Sequence, residues 1–104
     1  MEVSPELGRY SWDEAVKAAK NYKGGGFTNW RLPNKDELNN IYLNLKKKGI
    51  GNLSDDDHWS STEEEYGLFE KKTGVCIKQF RDGISGWYSK NHTITARAVR
   101  SFTP

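Results

Sequence analysis

The sequence predicts a single α+β domain spanning residues 1–104. Two helical patterns occupy the first half of the chain, and strand-like segments separated by glycine turns fill the second half. A chain of 104 residues has the length of one domain with one modest core. Aromatic residues make up 12% of it, which is typical of a folded protein and not of a disordered one.

The first helix is predicted to begin after Ser11. Ser11 is a favoured N-cap, and Glu14 three residues later would complete a capping box. Apolar side chains then recur at helical spacing, namely Trp12, Ala15, Val16, Ala19 and Tyr22. We expect the glycine run 24–26 to end this helix, because glycine tolerates the left-handed conformation of a C-terminal turn.

The second helix is predicted to begin after Asn34. Pro33 forces Leu32 into an extended conformation, and Asn34 then caps the helix with Glu37 as its partner. Gly49 is expected to end it. Its apolar stripe consists of Leu38, Ile41, Tyr42 and Leu45.

The second half of the chain predicts strands. After a polar loop at 50–57, residues 58–62 form a short extended segment, and strand-like segments follow at 66–71, 75–80, 84–89 and 93–102. Thr73-Gly74 and Asp82-Gly83 are the expected turns between the first three of these segments.

Charge and hydropathy exclude several classes of partner. Sixteen Lys and Arg stand against fourteen Asp and Glu, and both signs are mixed along the chain, so we expect no nucleic-acid partner. The one basic cluster, 46–48, falls at a predicted helix end, where cations suit the helix dipole. No apolar run approaches the roughly 20 residues of a membrane span, and no signal peptide is recognisable, so membrane insertion is not expected.

No cofactor or metal is predicted. One cysteine and two histidines cannot build a zinc site, and Cys76 is expected to be a small buried residue. The acidic runs 55–57 and 63–65 could gather a calcium ion, although their spacing matches no EF-hand loop. Solvated loops are the favoured interpretation, and calcium near 55–57 stays an open alternative.

Several motifs resemble a known bacterial family. Trp30-Arg31-Leu32-Pro33-Asn34-Lys35-Asp36-Glu37-Leu38 resembles the segment that opens the second helix in the Lcl C-terminal domain family and in the formylglycine-generating-enzyme (sulfatase-modifying-factor) family. Three further pieces favour the first family: His58-Trp59-Ser60-Ser61-Thr62-Glu63, Phe80-Arg81-Asp82-Gly83 and Ala96-Arg97-Ala98-Val99-Arg100. Ser11-Trp12-Asp13-Glu14-Ala15 also resembles the first helix of C-type-lectin-like domains.

The resemblance implies a C-type-lectin-like fold, with two helices packed on a twisted antiparallel sheet. Residues 30–38 would form a buried segment that holds the second helix. Only ten residues precede Ser11, so the N-terminal strand is expected to be short or missing. The calcium–sugar motif Glu-Pro-Asn of calcium-dependent lectins is absent, so calcium-mediated sugar binding is not implied. The resemblance does imply an extracellular or cell-surface location.

The resemblance does not imply catalysis. The enzymatic relatives use reactive cysteines, and a single Cys76 cannot supply a pair. His58, Ser60 and Ser61 lie near the acidic run 55–57, but triad partners usually come from separate elements. We expect Trp59 to enter the core, the neighbouring hydroxyls to satisfy backbone groups, and Arg31 to brace the scaffold.

The predicted ligand-binding residues are Trp87, Tyr88, Lys90, Asn91 and His92. Trp87 and Tyr88 are adjacent, so in a strand they point to opposite faces and only one can enter the core. An exposed aromatic ring beside Lys, Asn and His side chains is typical of a recognition surface. The alternative is that a loop covers the second ring.

Three functional hypotheses follow. The first is a non-enzymatic binding module of a bacterial surface or secreted protein that recognises a glycan or a protein. The second is a purely structural domain of a larger surface or pilus-type protein, which would gain support if both rings were covered. The third is an active or degenerate enzyme, which would need a titratable group with a perturbed pKa in a cleft, and an exposed Cys76 with a lowered pKa would support it.

Overall fold

The computed structural model describes residues 2–50, 53–70 and 72–101. It confirms the α+β class, with two helices and a five-stranded sheet. Helix α1 spans Trp12–Asn21 and helix α2 spans Lys35–Ile41. The strands are β1 Glu2–Val3, β2 Gly8–Tyr10, β3 Asp57–Tyr66, β4 Lys72–Gln79, β5 Ser85–Tyr88, β6 Ile94–Ala96 and β7 Val99–Arg100.

The main sheet is mixed, not wholly antiparallel as expected. Its strand order is β2-β6-β3-β4-β5, and β6 pairs parallel to β3 through His58 and Thr95. Strands β5 and β6 run in the same direction, because residues 89–93 carry the chain across the sheet without a hairpin reversal. Strands β1 and β7 form a separate antiparallel pair, in which Glu2 is opposite Arg100.

Helix α1 begins after Ser11 as predicted, but the hydrogen bonding of its cap and the position of its end differ from the prediction. The Ser11 hydroxyl donates to the Glu14 carboxylate at 2.8 Å and makes no hydrogen bond to the backbone of the first turn. The helix ends at Asn21, before the glycine run, and residues Gly24–Gly26 form a separate 3₁₀ turn. Tyr22 is extended and its ring packs edge-on against Trp30, with 4.8 Å between centroids, so the chain leaves the helix early.

Helix α2 begins as the sequence predicts. The Asn34 side chain accepts from the Glu37 N–H, and the Glu37 carboxylate accepts from the Asn34 N–H, which is a complete capping box. Beyond Ile41 the helix continues as a π-helical segment, Tyr42–Lys46. Gly49 ends it at a φ of 71°, as expected.

The first predicted hairpin is placed wrongly. Residues 57–66 form one continuous strand, β3, and residues 67–70 are the turn that leads into β4. Thr73 and Gly74 lie inside β4, opposite Glu65 and Glu64, because β3 extends to Tyr66 and offers them pairing partners. Asp82-Gly83 does form the next turn, with Gly83 at a φ of 79°.

The last predicted strand, 93–102, is divided into β6 and β7 in its described part, and residue 102 lies outside the described residues. The segment that precedes α2 is buried as expected, with Trp30 and Leu32 in the core. Arg31 braces this region, since its guanidinium makes two hydrogen bonds to the Glu37 carboxylate at 2.6 and 2.7 Å.

The two helices cover opposite faces of the sheet. Ala15 and Ala19 of α1 pack in one core cluster with Trp59, Val75 and Ile77. Leu38 and Ile41 of α2 pack in a second cluster with Phe80 and Val99. Successive residues of β4 alternate between these faces, so Cys76 and Lys78 point to the side of α2.

Two indole groups connect β2 and α1 to the middle of the sheet. The Trp59 Nε1–H donates to the Tyr10 carbonyl at 2.8 Å, and the Trp12 Nε1–H donates to the Ser60 carbonyl at 2.9 Å. Buried indoles usually have such a partner, because an unpaired N–H in the core is costly. Trp59 is fully buried, which confirms its predicted place in the core.

Candidate binding cleft

Trp87 and Tyr88 project to opposite faces of β5, as their adjacent positions predict. In the ladder with β4, Trp87 is opposite Cys76 and Tyr88 is opposite Val75. Val75 belongs to the core under α1, and Tyr88 packs against that core. Trp87 lies on the face of α2, where 44% of its surface is exposed. Trp87 is therefore the member of the pair that presents an open aromatic surface.

A cleft of about 340 Å³ lies between the start of α2 and the strands β4 and β5. Its volume falls at the lower end of the roughly 300–1,000 Å³ of small-ligand sites. Helix α2 contributes Lys35, Asp36, Leu38 and Asn39 to its walls. The sheet contributes Ser60, Glu64, Cys76, Ile77, Lys78, Ser85, Gly86 and Trp87.

An ion pair connects the two walls of the cleft. The Lys35 ammonium group contacts the Glu64 carboxylate, and both side chains are partly exposed. Hydrogen bonding to Lys35 lowers the pKa of the Glu64 carboxyl, and the same contact raises the pKa of Lys35. The Lys35 N–H also donates to the Thr62 hydroxyl at 3.0 Å, which anchors the start of α2 to β3. The cleft thus has both a cation and an anion at its edge.

Backbone and side-chain hydrogen bonds fix the floor of the cleft. The Ser60 hydroxyl donates to the Cys76 carbonyl at 2.6 Å and accepts from the Thr62 N–H at 3.1 Å. These bonds span an irregularity in the pairing of β3 with β4, and they confirm the backbone role expected for the hydroxyls. The Lys78 ammonium group donates to the Gly83 carbonyl at 2.9 Å and to the Ser85 hydroxyl at 3.0 Å.

Cys76 is buried as expected, with 5% of its surface exposed. Burial, with the nearby Glu64 as a smaller cause, raises the pKa of its thiol to about 11. A nucleophilic cysteine needs a lowered pKa, because the thiolate is the reactive form. The raised pKa disfavours the thiolate form, and Cys76 contributes a small side chain to the cleft floor.

The motifs that suggested a family are now supported by a direct comparison. The family model of the Lcl C-terminal domain matches residues 2–100, which is nearly the whole chain. This chain belongs to the Lcl C-terminal domain family. A comparison with curated proteins gives no match.

Of the five predicted ligand-binding residues of this Lcl C-terminal domain, only Trp87 lines the cleft. Tyr88, Lys90, Asn91 and His92 lie elsewhere. The Tyr88 and His92 rings lie together, with 4.9 Å between centroids, and the Tyr88 hydroxyl donates to the Asp57 carboxylate at 3.2 Å. Lys90 forms an ion pair with Glu63 at 3.2 Å, and its ammonium group lies 4.7 Å from the centre of the Trp12 ring. The Asn91 side-chain oxygen accepts from the Ser89 hydroxyl at 2.6 Å.

A second, more polar cavity of about 290 Å³ lies beside Tyr88 and His92. Its walls include the acidic run Asp55, Asp56 and Asp57 together with Arg9 and Arg81. Within residues 2–50, 53–70 and 72–101, no group of three or more His, Cys, Asp or Glu side chains is placed to hold a metal ion. Across the same residues, no helix is long and apolar enough to cross a membrane.

The cleft residues Lys35, Asp36, Asn39 and Glu64 were not among the predicted site residues. Lys35 and Glu64 are 29 positions apart, and only the true length of β3 brings them together. The capping box at Asn34 was the available signal, because the first turn of a helix exposes polar side chains on its outer side. That signal predicts where α2 begins, but not which strand it faces.

Proposed function

We propose that this Lcl C-terminal domain is a non-enzymatic binding module that recognises a glycan in the cleft between α2 and β5. The observation that supports the proposal is the open Trp87 ring beside charged and amide side chains of α2. A ligand of this kind would stack one sugar ring on the indole. Lys35, Asp36 and Asn39 would then bind its hydroxyl groups.

The chemistry of the cleft suits a neutral polyhydroxylated ligand. Carboxylates accept hydrogen bonds, ammonium groups donate them, and an amide does both, which matches the mixed character of hydroxyl groups. The floor beneath them is held rigid by hydrogen bonds of Ser60 and Lys78. A rigid site loses little conformational entropy when a ligand binds.

The setting of the module is part of the same proposal. Membership in a family of C-terminal domains suggests a module of a larger protein. We place that protein on a bacterial surface or outside the cell, and we propose a distant relation of the fold to C-type lectins and to formylglycine-generating enzymes. Two helices on a mixed five-stranded sheet are compatible with this relation.

A glycan array tests the proposal with a matched pair of variants. Wild type should bind a defined set of glycans, and Trp87→Ala should lose about fivefold or more in affinity, if a sugar ring gains from the indole roughly the 1–3 kcal/mol that a stacked nucleic-acid base gains. Tyr88→Phe is the control, since it changes the neighbouring aromatic residue on the opposite face. It should retain the hits.

Two results would contradict the proposal. Equal binding by wild type and folded Trp87→Ala would show that the glycan does not bind in this cleft. An absence of any hit, with both proteins folded by circular dichroism, would exclude the tested glycans and favour a protein ligand or a purely structural domain. A pull-down with immobilised wild type and Trp87→Ala would then separate those two alternatives.

A further inference from the structure

A third cavity lies between the N-terminal segment and the end of the π-helical segment. Its volume is about 450 Å³. Its lining combines the apolar residues Val3, Pro5, Leu45 and Leu53 with the polar residues Ser4, Glu6 and Arg97. Apolar walls with a few polar groups are the usual composition of a small-ligand site.

Arg97 is buried in the wall of this cavity, with 7% of its surface exposed. One of its terminal nitrogens donates to the Ser4 carbonyl at 3.1 Å. Its Nε–H is buried and has no hydrogen-bond acceptor within the described part of the chain. A guanidinium group carries five N–H donors and keeps its charge at every physiological pH. The single hydrogen bond to the Ser4 carbonyl therefore leaves most of its donors without an acceptor among the described residues.

The charge of Arg97 is also not neutralised by an ion pair. Among residues 2–50, 53–70 and 72–101, no carboxylate lies within ion-pair distance of its guanidinium. Glu6 is the nearby acidic residue of the cavity, and its carboxylate accepts from the Ser54 hydroxyl at 3.3 Å. A buried cation is costly unless it is paired, so an anion that entered the cavity would gain a strong partner.

A brace for the N-terminal segment is the simpler role for Arg97. The contact with the Ser4 carbonyl fits that role, and Ser4 also binds the Ala98 N–H through its hydroxyl at 2.8 Å. That hydroxyl already joins the two segments without any charge. A brace alone therefore explains neither a buried charged group nor an apolar cavity in front of it.

We propose that this cavity binds a carboxylate with a short aliphatic chain. The carboxylate would accept two parallel hydrogen bonds from the Arg97 fork, which is the geometry that guanidinium groups favour. The aliphatic chain would lie against Val3, Leu45 and Leu53. This site is separate from the Trp87 cleft, and it depends on none of the cleft residues.

The test is a titration followed by NMR, with hexanoate as the probe. The expected result is a saturable shift of the Arg97 Nε–H signal and of the Leu45 and Leu53 methyl signals. Hexanoate should bind at least tenfold more tightly than acetate, because each buried methylene adds about fourfold in affinity. It should also bind at least tenfold more tightly than hexanol, which has the chain but no charge.

Two variants at exposed positions and one at a partly buried position complete the test. Glu6→Gln removes the competing carboxylate and should tighten hexanoate binding several-fold. Glu70→Gln, in the distant turn between β3 and β4, should leave it unchanged. Leu53→Glu places a carboxylate in the cavity and should abolish hexanoate binding.

Three outcomes would overturn the proposal. No saturable shift in wild type or in Glu6→Gln would show that Arg97 is only a brace. If hexanol bound as tightly as hexanoate, the site would not recognise the carboxylate. If acetate bound as tightly as hexanoate, the apolar walls would not contribute to binding. A loss of glycan binding in the Trp87 variant has no bearing on any of these results.

Discussion

Asn34 and Glu37 exchange reciprocal hydrogen bonds at the start of α2. The Glu37 N–H donates to the Asn34 side-chain oxygen at 2.8 Å, and the Asn34 N–H donates to the Glu37 carboxylate at 2.9 Å. The same first turn carries Lys35 and Asp36 into the wall of the candidate cleft. The cap therefore fixes both the helix and the position of the groups that we propose to bind a ligand.

Removal of this cap should destabilise the domain measurably. Asn34→Ala should lower the free energy of unfolding by about 1 kcal/mol, because the Glu37 N–H loses its acceptor. Urea denaturation followed by tryptophan fluorescence would measure the change. Asn40→Ala, on an exposed position of the same helix, is the control and should be neutral or slightly stabilising, since alanine is the better helix former. Equal losses in both variants would contradict the role of the cap.

Mild acid should destabilise the fold through His58. This side chain is 1% exposed and stacks on Phe80 with 4.0 Å between centroids. Its Nδ1 contacts the Asp56 carbonyl at 2.7 Å and must carry the proton, since a carbonyl oxygen only accepts. Burial lowers the pKa of His58 from 6.5 to about 4, with the Asp56 contact acting in the opposite direction.

The unfolded chain therefore binds a proton at His58 at higher pH than the folded chain does. Stability from this group is complete above about pH 6.5 and falls as the pH decreases toward 4. The loss should reach roughly 2 kcal/mol at pH 5. Urea denaturation at pH 7.5 and pH 5 would measure it, and His58→Gln should reduce the difference between the two pH values. An unchanged difference in that variant would assign the effect to other groups.

The thiol of Cys76 should react slowly with alkylating reagents in the folded protein. Its pKa of about 11 lies two units above the ordinary value of 9.0, so the thiolate fraction at pH 8 is about a hundredfold smaller. Mass spectrometry of iodoacetamide labelling should show at least that reduction in rate compared with the protein in concentrated urea. Rapid labelling of the native protein would contradict the raised pKa and would support a catalytic role for Cys76.

Two phenylalanines should differ sharply in their contribution to stability. Phe69 is fully exposed, at 101%, in the turn between β3 and β4, and Phe80 is 1% exposed in the core under α2. Phe80→Ala should cost about 3–5 kcal/mol, whereas Phe69→Ala should stay within about 0.5 kcal/mol of wild type. Thermal unfolding of both variants would measure this. A large loss in Phe69→Ala would mean that the turn is covered in solution.

Local spacing predicted those features that depend on neighbours in sequence. The capping box of Asn34, the end of α2 at Gly49 and the turn at Asp82-Gly83 are each decided within a few residues. The alternation of Trp87 and Tyr88 across β5 is equally local. Such features follow from local backbone geometry and can therefore be predicted from the sequence.

Features that depend on distant partners could not be predicted in the same way. Leu68 and Phe69 have the composition of a strand, yet they lie in an exposed turn, because β3 and β4 pair on either side of it. Thr73-Gly74 is a good turn signal that this pairing overrides. Lys35 and Glu64 meet only because of that register, so the cleft could not be recognised from the sequence.

The pair β2–β6 and the strands β3–β5 of the main sheet are joined by little backbone pairing. Strands β3 and β6 share a single registered pair, His58 and Thr95, whereas β3 and β4 pair along almost their whole length. The indole hydrogen bond of Trp59 joins β3 to β2 across this boundary, and that of Trp12 joins β3 to α1, which follows β2 in the chain. When the domain is pulled apart, the pair of β2 and β6 should therefore detach as one unit, and part of its mechanical resistance should come from the tryptophan side chains that link this region to β3.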